Sequence, residues 1–213
     1  AVTDTLAERV SAALAAPVSD PVRAFAAALG EAAGAIGVLF YGSNLRTRSL
    51  DGVLDFYVLT EGGVESGIWP RVSYHERTIG GHDLRAKVAT MTLATFQAAA
   101  SGELLDTTIW ARFVQPSALA WQRDAAAEAR IAKAVEAAAV TAARLAVALG
   151  PVDGTAADYW RALFRATYKA EFRVEAGGRE DSILAANAAH FDGLLPLALK
   201  AAGIDYRQSG DTI

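Results

Sequence analysis

Two apolar segments separated by a glycine-serine turn constrain the fold of this chain more than any other feature. The first covers residues 36–41 and ends at Gly42-Ser43, and the second, Val53–Thr60, carries Asp55 as its single acidic residue. Runs of Val, Leu, Phe and Tyr bounded by such turns predict two paired strands. A carboxylate buried in such a strand costs several kcal/mol unless a metal ion or a positive partner compensates its charge. Asp55 therefore either has a specific role or lies at a strand edge and points to water.

The specific role that fits these residues is the binding of a nucleoside triphosphate. Gly42 and Ser43 offer backbone N–H groups and a hydroxyl to phosphate oxygens, and the carboxylate of Asp55 could hold Mg²⁺ against the same phosphates. Arg46 and Arg48, in the segment between the strands, could also face phosphate. A glycine-serine turn between strands is common, so this segment alone leaves both interpretations of Asp55 open.

Composition excludes several classes of function. The 213 residues suffice for one sizeable domain, or for a catalytic domain joined to a helical one. The absence of cysteine excludes disulfides, thiolate zinc sites and cysteine nucleophiles. A formal net charge of −4 argues against general nucleic-acid binding, so we expect no nucleic-acid partner.

The same sequence gives expectations about membranes. No apolar run approaches the roughly 20 residues needed to span a bilayer. The N-terminal segment has early acidic residues and no basic stretch before an apolar core, unlike a signal peptide. We therefore expect a cytoplasmic protein whose membrane contact is at most peripheral.

The apolar periodicity predicts the α+β class, with a mixed sheet flanked by helices and a mostly helical C-terminal part. The expected elements are, in chain order, helices over 4–16 and 20–33, strands over 36–41 and 53–60, a hairpin over 72–79 and 83–88 turned at Gly80-Gly81, a short helix over 92–100 capped by Thr92, and helices over 122–149, 155–168 and 182–202. Residues 104–114 are ambiguous between helix and strand, and 171–178 are expected to form a loop. We place the domain boundary near residue 116, with a sheet domain over 1–116 and a helical domain over 117–213.

The stretch YGSN…LDFYV and four later segments resemble one enzyme family. The later segments are, in order, GHDLRAKVAT at 81–90, WARFVQP at 110–116, TYKAEFRV at 167–174 and NAAHFDGLL at 187–195. The set is similar to the mitochondrial translocator-assembly-and-maintenance family of phosphatidate cytidylyltransferases, also called CDP-diacylglycerol synthases. That family lies within the polymerase-beta-like nucleotidyltransferase superfamily.

The resemblance implies a nucleotidyltransferase-type sheet and Mg²⁺-dependent transfer of CMP from CTP to phosphatidate, which gives CDP-diacylglycerol and pyrophosphate. Under this resemblance the catalytic residues are Asp55, Glu171 and Arg173, the metal ligands are Asp55 and Glu171, and the nucleotide-binding residues are Gly42, Ser43, Arg85, Lys87 and Arg112. We expect any membrane contact to be peripheral, at the inner membrane face of a bacterial cell.

Each of the charged residues also has a purely structural explanation. Arg85 and Lys87 alternate along a strand and could face solvent. Arg112 could lie along its aromatic neighbours. Glu171 and Arg173 could form a surface ion pair worth less than about 1 kcal/mol.

The chain also departs from the family pattern. Tyr57 stands where the superfamily has a second carboxylate, Arg85 replaces a lysine, and the segment 60–72 is short. Two other functions therefore stay open. One is a nucleotidyltransferase that uses another NTP and a soluble acceptor, and the other is a non-catalytic nucleotide-binding module.

Overall fold

A mixed five-stranded sheet organises the N-terminal part of the chain. The computed structural model describes residues 5–170, 179–191 and 193–213. The strands are β1 (Gly37–Tyr41), β2 (Val53–Thr60), β3 (Arg71–Ile79), β4 (His82–Thr92) and β5 (Ser117–Gln122). Their order in the sheet is β3-β4-β2-β1-β5, with β2 and β4 parallel and the other neighbours antiparallel. The predicted α+β class with a mixed sheet is confirmed.

Helices account for most of the remaining chain. They are α1 (Leu6–Leu14), α2 (Asp20–Ala33), α3 (Ser43–Thr47), α4 (Leu93–Ala100), α5 (Thr108–Phe113), α6 (Ala125–Leu149), α7 (Ala156–Ala170), α8 (Arg179–Ala186), α9 (Ala188–Phe191) and α10 (Leu194–Ala202). Thr92 caps α4 as expected, because its Oγ1 accepts a hydrogen bond from the backbone N–H of Thr95 at 3.1 Å. The ambiguous segment 104–114 contains the short helix α5.

Two predicted elements differ from the structure. The expected helix over 122–149 begins only at Ala125, and Gln122 is instead the last residue of β5, a strand that the sequence patterns did not predict. The expected single helix over 182–202 is divided into α8, α9 and α10. Gly193 has a φ of 74°, which no right-handed helix accommodates, and it precedes α10. The predicted loop over 171–178 lies outside the described residues.

The two faces of the sheet have different surroundings. On one face, α2 packs on alternate residues of β1, β2 and β4 in a core that contains Phe25, Phe40, Phe56 and Leu84. Phe25 and Phe56 are fully buried there, with ring centroids 5.7 Å apart. Because side chains alternate along a strand, Asp55 belongs to the opposite face. The sequence-predicted acid therefore lies on the face that α2 does not cover.

The chain divides into two compact units. A sheet unit comprises residues 10–98 and 116–134, and a helical unit comprises residues 1–9, 99–115 and 135–213. One passage between the units lies at residue 116, where we placed the domain boundary, but β5 follows this passage and belongs to the sheet unit.

No single helix in the described part of the chain has the length and apolar composition to cross a bilayer. Residues 180–186 and 188–202 reach that length only when taken together, and they are bent by 84°.

Candidate functional site

The candidate site begins where β1 ends. Gly42 follows β1 directly and has φ 91° and ψ −169°, a conformation that is essentially restricted to glycine. Ser43 then opens the short helix α3, so the predicted turn is the start of a helical segment. A residue with a side chain at position 42 would be strained, which explains why the sequence has glycine there.

Asp55 lies directly against this glycine. A Cβ atom placed on Gly42 would be 3.2 Å from Oδ2 of Asp55, and Tyr41 is the register partner of Asp55 in the antiparallel β1–β2 pair. Asp55 is partly buried on an inner strand of the sheet. Asp55 is therefore not on an edge strand, and the structure brings the glycine and the acid together.

Two of the predicted cationic residues share this face of the sheet. Lys87 is the register partner of Asp55 in the parallel β2–β4 pair, and Arg85 is the partner of Val53. Paired residues on adjacent strands project to the same side. Both basic side chains are exposed, which leaves them available to an anionic ligand beside the carboxylate.

Tyr57 occupies the position at which a second carboxylate was expected. Its side chain is 2% exposed and contacts two other aromatic rings. The centroid of Tyr41 lies 5.5 Å away, and that of Phe96 lies 6.4 Å away in an edge-to-face arrangement. The position is therefore part of an aromatic cluster, and a charged residue there would be desolvated.

The remaining predicted site residues are Arg112, Glu171 and Arg173. Arg112 belongs to α5 in the helical unit. Glu171 and Arg173 lie outside the described residues. Within the described ranges, no group of three or more histidine, aspartate or glutamate side chains could hold a metal ion.

A single carboxylate is nevertheless compatible with magnesium bound together with a nucleotide. Mg²⁺ usually keeps several waters and is held by one or two carboxylates plus substrate phosphates. Asp55 provides one carboxylate, and the absence of a Cβ atom at Gly42 avoids a contact of 3.2 Å with its Oδ2. The donor set therefore fits a metal that arrives with a triphosphate.

Asn44 is a supporting residue that the sequence patterns missed. Its side-chain amide donates hydrogen bonds of 2.8 Å to the backbone carbonyls of Ser49 and Asp51, and the residue is only 9% exposed. These bonds close the segment between α3 and β2, which connects Gly42 to the strand that carries Asp55. The signal was present, since asparagine commonly bonds nearby backbone groups in turns.

Shifted pKa values occur outside this site. Hydrogen bonds from Arg130 and then Arg123 lower the pKa of Glu61 to about 2. Burial lowers the pKa of His190 in the helical unit, and the nearby charge of Arg9 acts in the same direction. The ring Nε2 of His190 lies 2.7 Å from the carbonyl oxygen of Val114, and because a carbonyl only accepts, Nε2 donates this bond.

No model of a known protein family matches this chain, and no curated protein matches its sequence. The resemblance of its motifs to the phosphatidate cytidylyltransferases therefore depends on the residues quoted above.

Proposed function

We propose that this protein is a Mg²⁺-dependent nucleotidyltransferase that transfers CMP from CTP to phosphatidate and releases pyrophosphate. The observation that carries the proposal is the position of the Asp55 carboxylate against Gly42, with Lys87 beside it in the sheet register. A carboxylate, a glycine that admits phosphate and adjacent cations are the parts that phosphoryl and nucleotidyl transfer require.

Each residue has a distinct role in this proposal. Asp55 would hold Mg²⁺, which when bound neutralises charge on the triphosphate and orients it. Gly42 allows phosphate oxygens to approach the backbone because it has no side chain. Lys87 and Arg85 would neutralise the charge that spreads over the reacting phosphorus. The phosphate oxygen of the acceptor forms a bond to the α-phosphorus of CTP as the bond to pyrophosphate breaks.

The distribution of histidines supports a phosphate acceptor over a hydroxyl acceptor. His75 and His82 pair with Ala86 and Ile79, and they alternate with the residues that share the Asp55 face. The described part of this face therefore has no histidine to act as a general base. A phosphomonoester, with a second pKa of about 6, is already largely ionised near neutral pH and needs no such base.

A lipid acceptor is also supported by exposed apolar side chains in the segment between β2 and β3. Val64 is 55% exposed and Ile68 is 94% exposed. In this proposal these side chains would enter the membrane surface, where burial of apolar area contributes to binding. Such contact would give the site access to phosphatidate.

The test is a direct assay of the reaction. With CTP, Mg²⁺ and phosphatidate in mixed micelles, the wild-type protein should form CDP-diacylglycerol and pyrophosphate, and Asp55→Asn should lower kcat/KM by at least about 100-fold because it removes the metal-binding charge. Asp51→Asn is the matched control, since Asp51 is an exposed acid in the neighbouring segment.

Two other results would redirect the assignment. Turnover of a water-soluble acceptor without lipid would favour the soluble-acceptor enzyme. Nucleotide binding that neither Mg²⁺ nor Asp55→Asn affects, with no product from any acceptor, would favour the non-catalytic module.

A further inference from the structure

Asp55 is one of a row of side chains that crosses the sheet on the face opposite to α2. Tyr41 is the register partner of Asp55, Asp55 is the partner of Lys87, and Lys87 is the partner of Tyr74 on β3. Register partners project to the same side of a sheet. Across the strands toward the edge of the sheet, the row therefore contains a carboxylate, then an ammonium group, then an aromatic ring.

Tyr74, at the end of this row, is unusually exposed for an aromatic residue. It is 73% exposed, and no ring contact within the described ranges involves it. Val72, two residues earlier on the same face, is 50% exposed. A large exposed aromatic residue contributes little to the fold and is well suited to bind a planar ligand.

The spacing of the row matches a bound nucleotide. Adjacent strands lie about 4.8 Å apart, so Tyr74 lies two spacings, or roughly 10 Å, from Asp55 across the sheet. If phosphates bind at Gly42 and Asp55, Lys87 lies beside the phosphate chain and the ribose extends toward β3. The base then reaches the ring of Tyr74.

We propose that Tyr74 is the platform on which the nucleobase of the bound nucleoside triphosphate stacks. This inference rests on the proposed nucleotide site at Gly42 and Asp55, and it adds the residue that binds the other end of the ligand. Stacking on an aromatic ring uses the π-face that every base has, so Tyr74 contributes affinity for a nucleotide over a bare polyphosphate.

The experiment compares the binding of two ligands, CTP and inorganic tripolyphosphate, by calorimetry in the presence of Mg²⁺. Tyr74→Ala should weaken CTP binding by about 5- to 100-fold and leave tripolyphosphate binding unchanged, because only CTP has a base to stack. Tyr74→Phe keeps the ring and should retain CTP binding. Tyr206→Ala is the control for loss of an exposed tyrosine, since Tyr206 is 38% exposed in the helical unit.

The outcomes separate this inference from the proposed function. The stacking role alone would be overturned if the wild-type protein binds CTP and Tyr74→Ala binds it equally well. It would also be overturned if Tyr74→Ala weakens the binding of CTP and of tripolyphosphate by the same factor. A Tyr74→Ala variant that binds CTP normally but has a raised KM for phosphatidate would also overturn it, because the ring would then contact the acceptor. Failure of the wild-type protein to bind either ligand would overturn both proposals.

Discussion

At the scale of single residues, the pairing of Gly42 with Asp55 is the feature on which the site depends. A Cβ atom at position 42 would lie 3.2 Å from Oδ2 of Asp55. Neither residue alone would indicate a site, since glycine at a turn and aspartate on a strand are both ordinary. Because the pairing of β1 with β2 brings them together, the two residues indicate a candidate site.

Gly42→Ala should therefore abolish binding of the Mg²⁺–CTP complex. The positive φ costs about 1–3 kcal/mol for alanine, and the new Cβ would lie 3.2 Å from Oδ2 of Asp55. Binding is measured by the thermal shift that CTP and Mg²⁺ produce together, and folding stability is measured by urea denaturation.

Gly52→Ala is the matched control for this substitution. Gly52 also has a positive φ, of 82°, but a Cβ placed there meets no atom within 4 Å. We expect both variants to lose folding stability because of the positive φ, and only Gly42→Ala to lose ligand binding. Equal ligand binding by the two variants would contradict the role of Gly42 beside Asp55.

The sequence predicted that paired strands bring Gly42 and Asp55 together, and the family resemblance pointed to Arg85 and Lys87, but neither predicted that Lys87 is the neighbour of Asp55. Lys87 is the neighbour of Asp55 because β2 and β4 are parallel, with the whole of β3 between them in sequence. Register between distant strands depends on the packing of the complete sheet, which local patterns do not contain. The same limit explains why Tyr74 was not recognised as part of the row.

At the scale of elements, the segment between β2 and β3 is held at several points by Glu65. One carboxylate oxygen accepts a hydrogen bond from the backbone N–H of Thr92, and the other pairs with Arg71 at 2.9 Å. The backbone N–H of Glu65 donates to Oγ1 of Thr95 at 2.8 Å. These bonds fix the segment while the side chain of Ile68 stays in water.

Ile68→Asp should lower turnover of phosphatidate in vesicles by about tenfold. The charge removes apolar contact with the membrane and is repelled by an anionic surface. Turnover of a short-chain, monomeric phosphatidate should stay unchanged, because Ile68 does not contact the reacting atoms in this proposal. Assays with the two substrates at matched concentrations distinguish the effects.

Val152→Asp provides the comparison for this surface. Val152 is also fully exposed, at 101%, but it belongs to the helical unit. Val152→Asp should leave the turnover of phosphatidate unchanged, both in vesicles and as the short-chain monomer. A similar loss in both variants on vesicles would show that added negative charge alone is responsible.

The elements that sequence predicted best were those with strong alternation or clear end signals. β2 was predicted with its observed ends, and the β3–β4 hairpin turns at Gly80-Gly81 as expected. β5 was missed because Ser117–Gln122 has little β-branched content and pairs with β1 through an irregular register. Tertiary pairing determines the state of such a weakly biased segment.

At the scale of the whole molecule, the two units differ in how acid should affect them. Glu61 in the sheet unit keeps its charge at moderate acidity, because Arg130 and Arg123 hold its pKa at about 2. His190 in the helical unit has a pKa lowered below 6.5 by burial. Its backbone carbonyl accepts a hydrogen bond of 2.6 Å from Arg9, whose charge further opposes protonation of the ring.

Stability should therefore fall as the pH decreases from about 7.5 to about 5. Below 6.5 the unfolded chain binds a proton at His190 more readily than the folded chain, so the free energy of unfolding rises with pH in this window. Glu61 does not contribute here, since its stabilising effect is lost only as the pH falls below about 4.5. Urea denaturation at the two pH values measures the change.

His190→Gln should reduce this pH dependence. Glutamine can still donate a hydrogen bond toward the carbonyl of Val114 but does not titrate. Its unfolding free energy should change less than that of the wild-type protein between the two pH values. An unchanged pH dependence in this variant would assign the effect to other groups.

The hairpin turn at Gly80-Gly81 is a suitable place to attach a fluorescent label to the sheet. Both glycines have positive φ angles, of 57° and 79°, and a Cβ on either would meet no atom within 4 Å. Turns of this kind tolerate added chain. A fluorophore attached there would lie at the end of β3, the strand that carries Tyr74, and would leave the row itself unmodified.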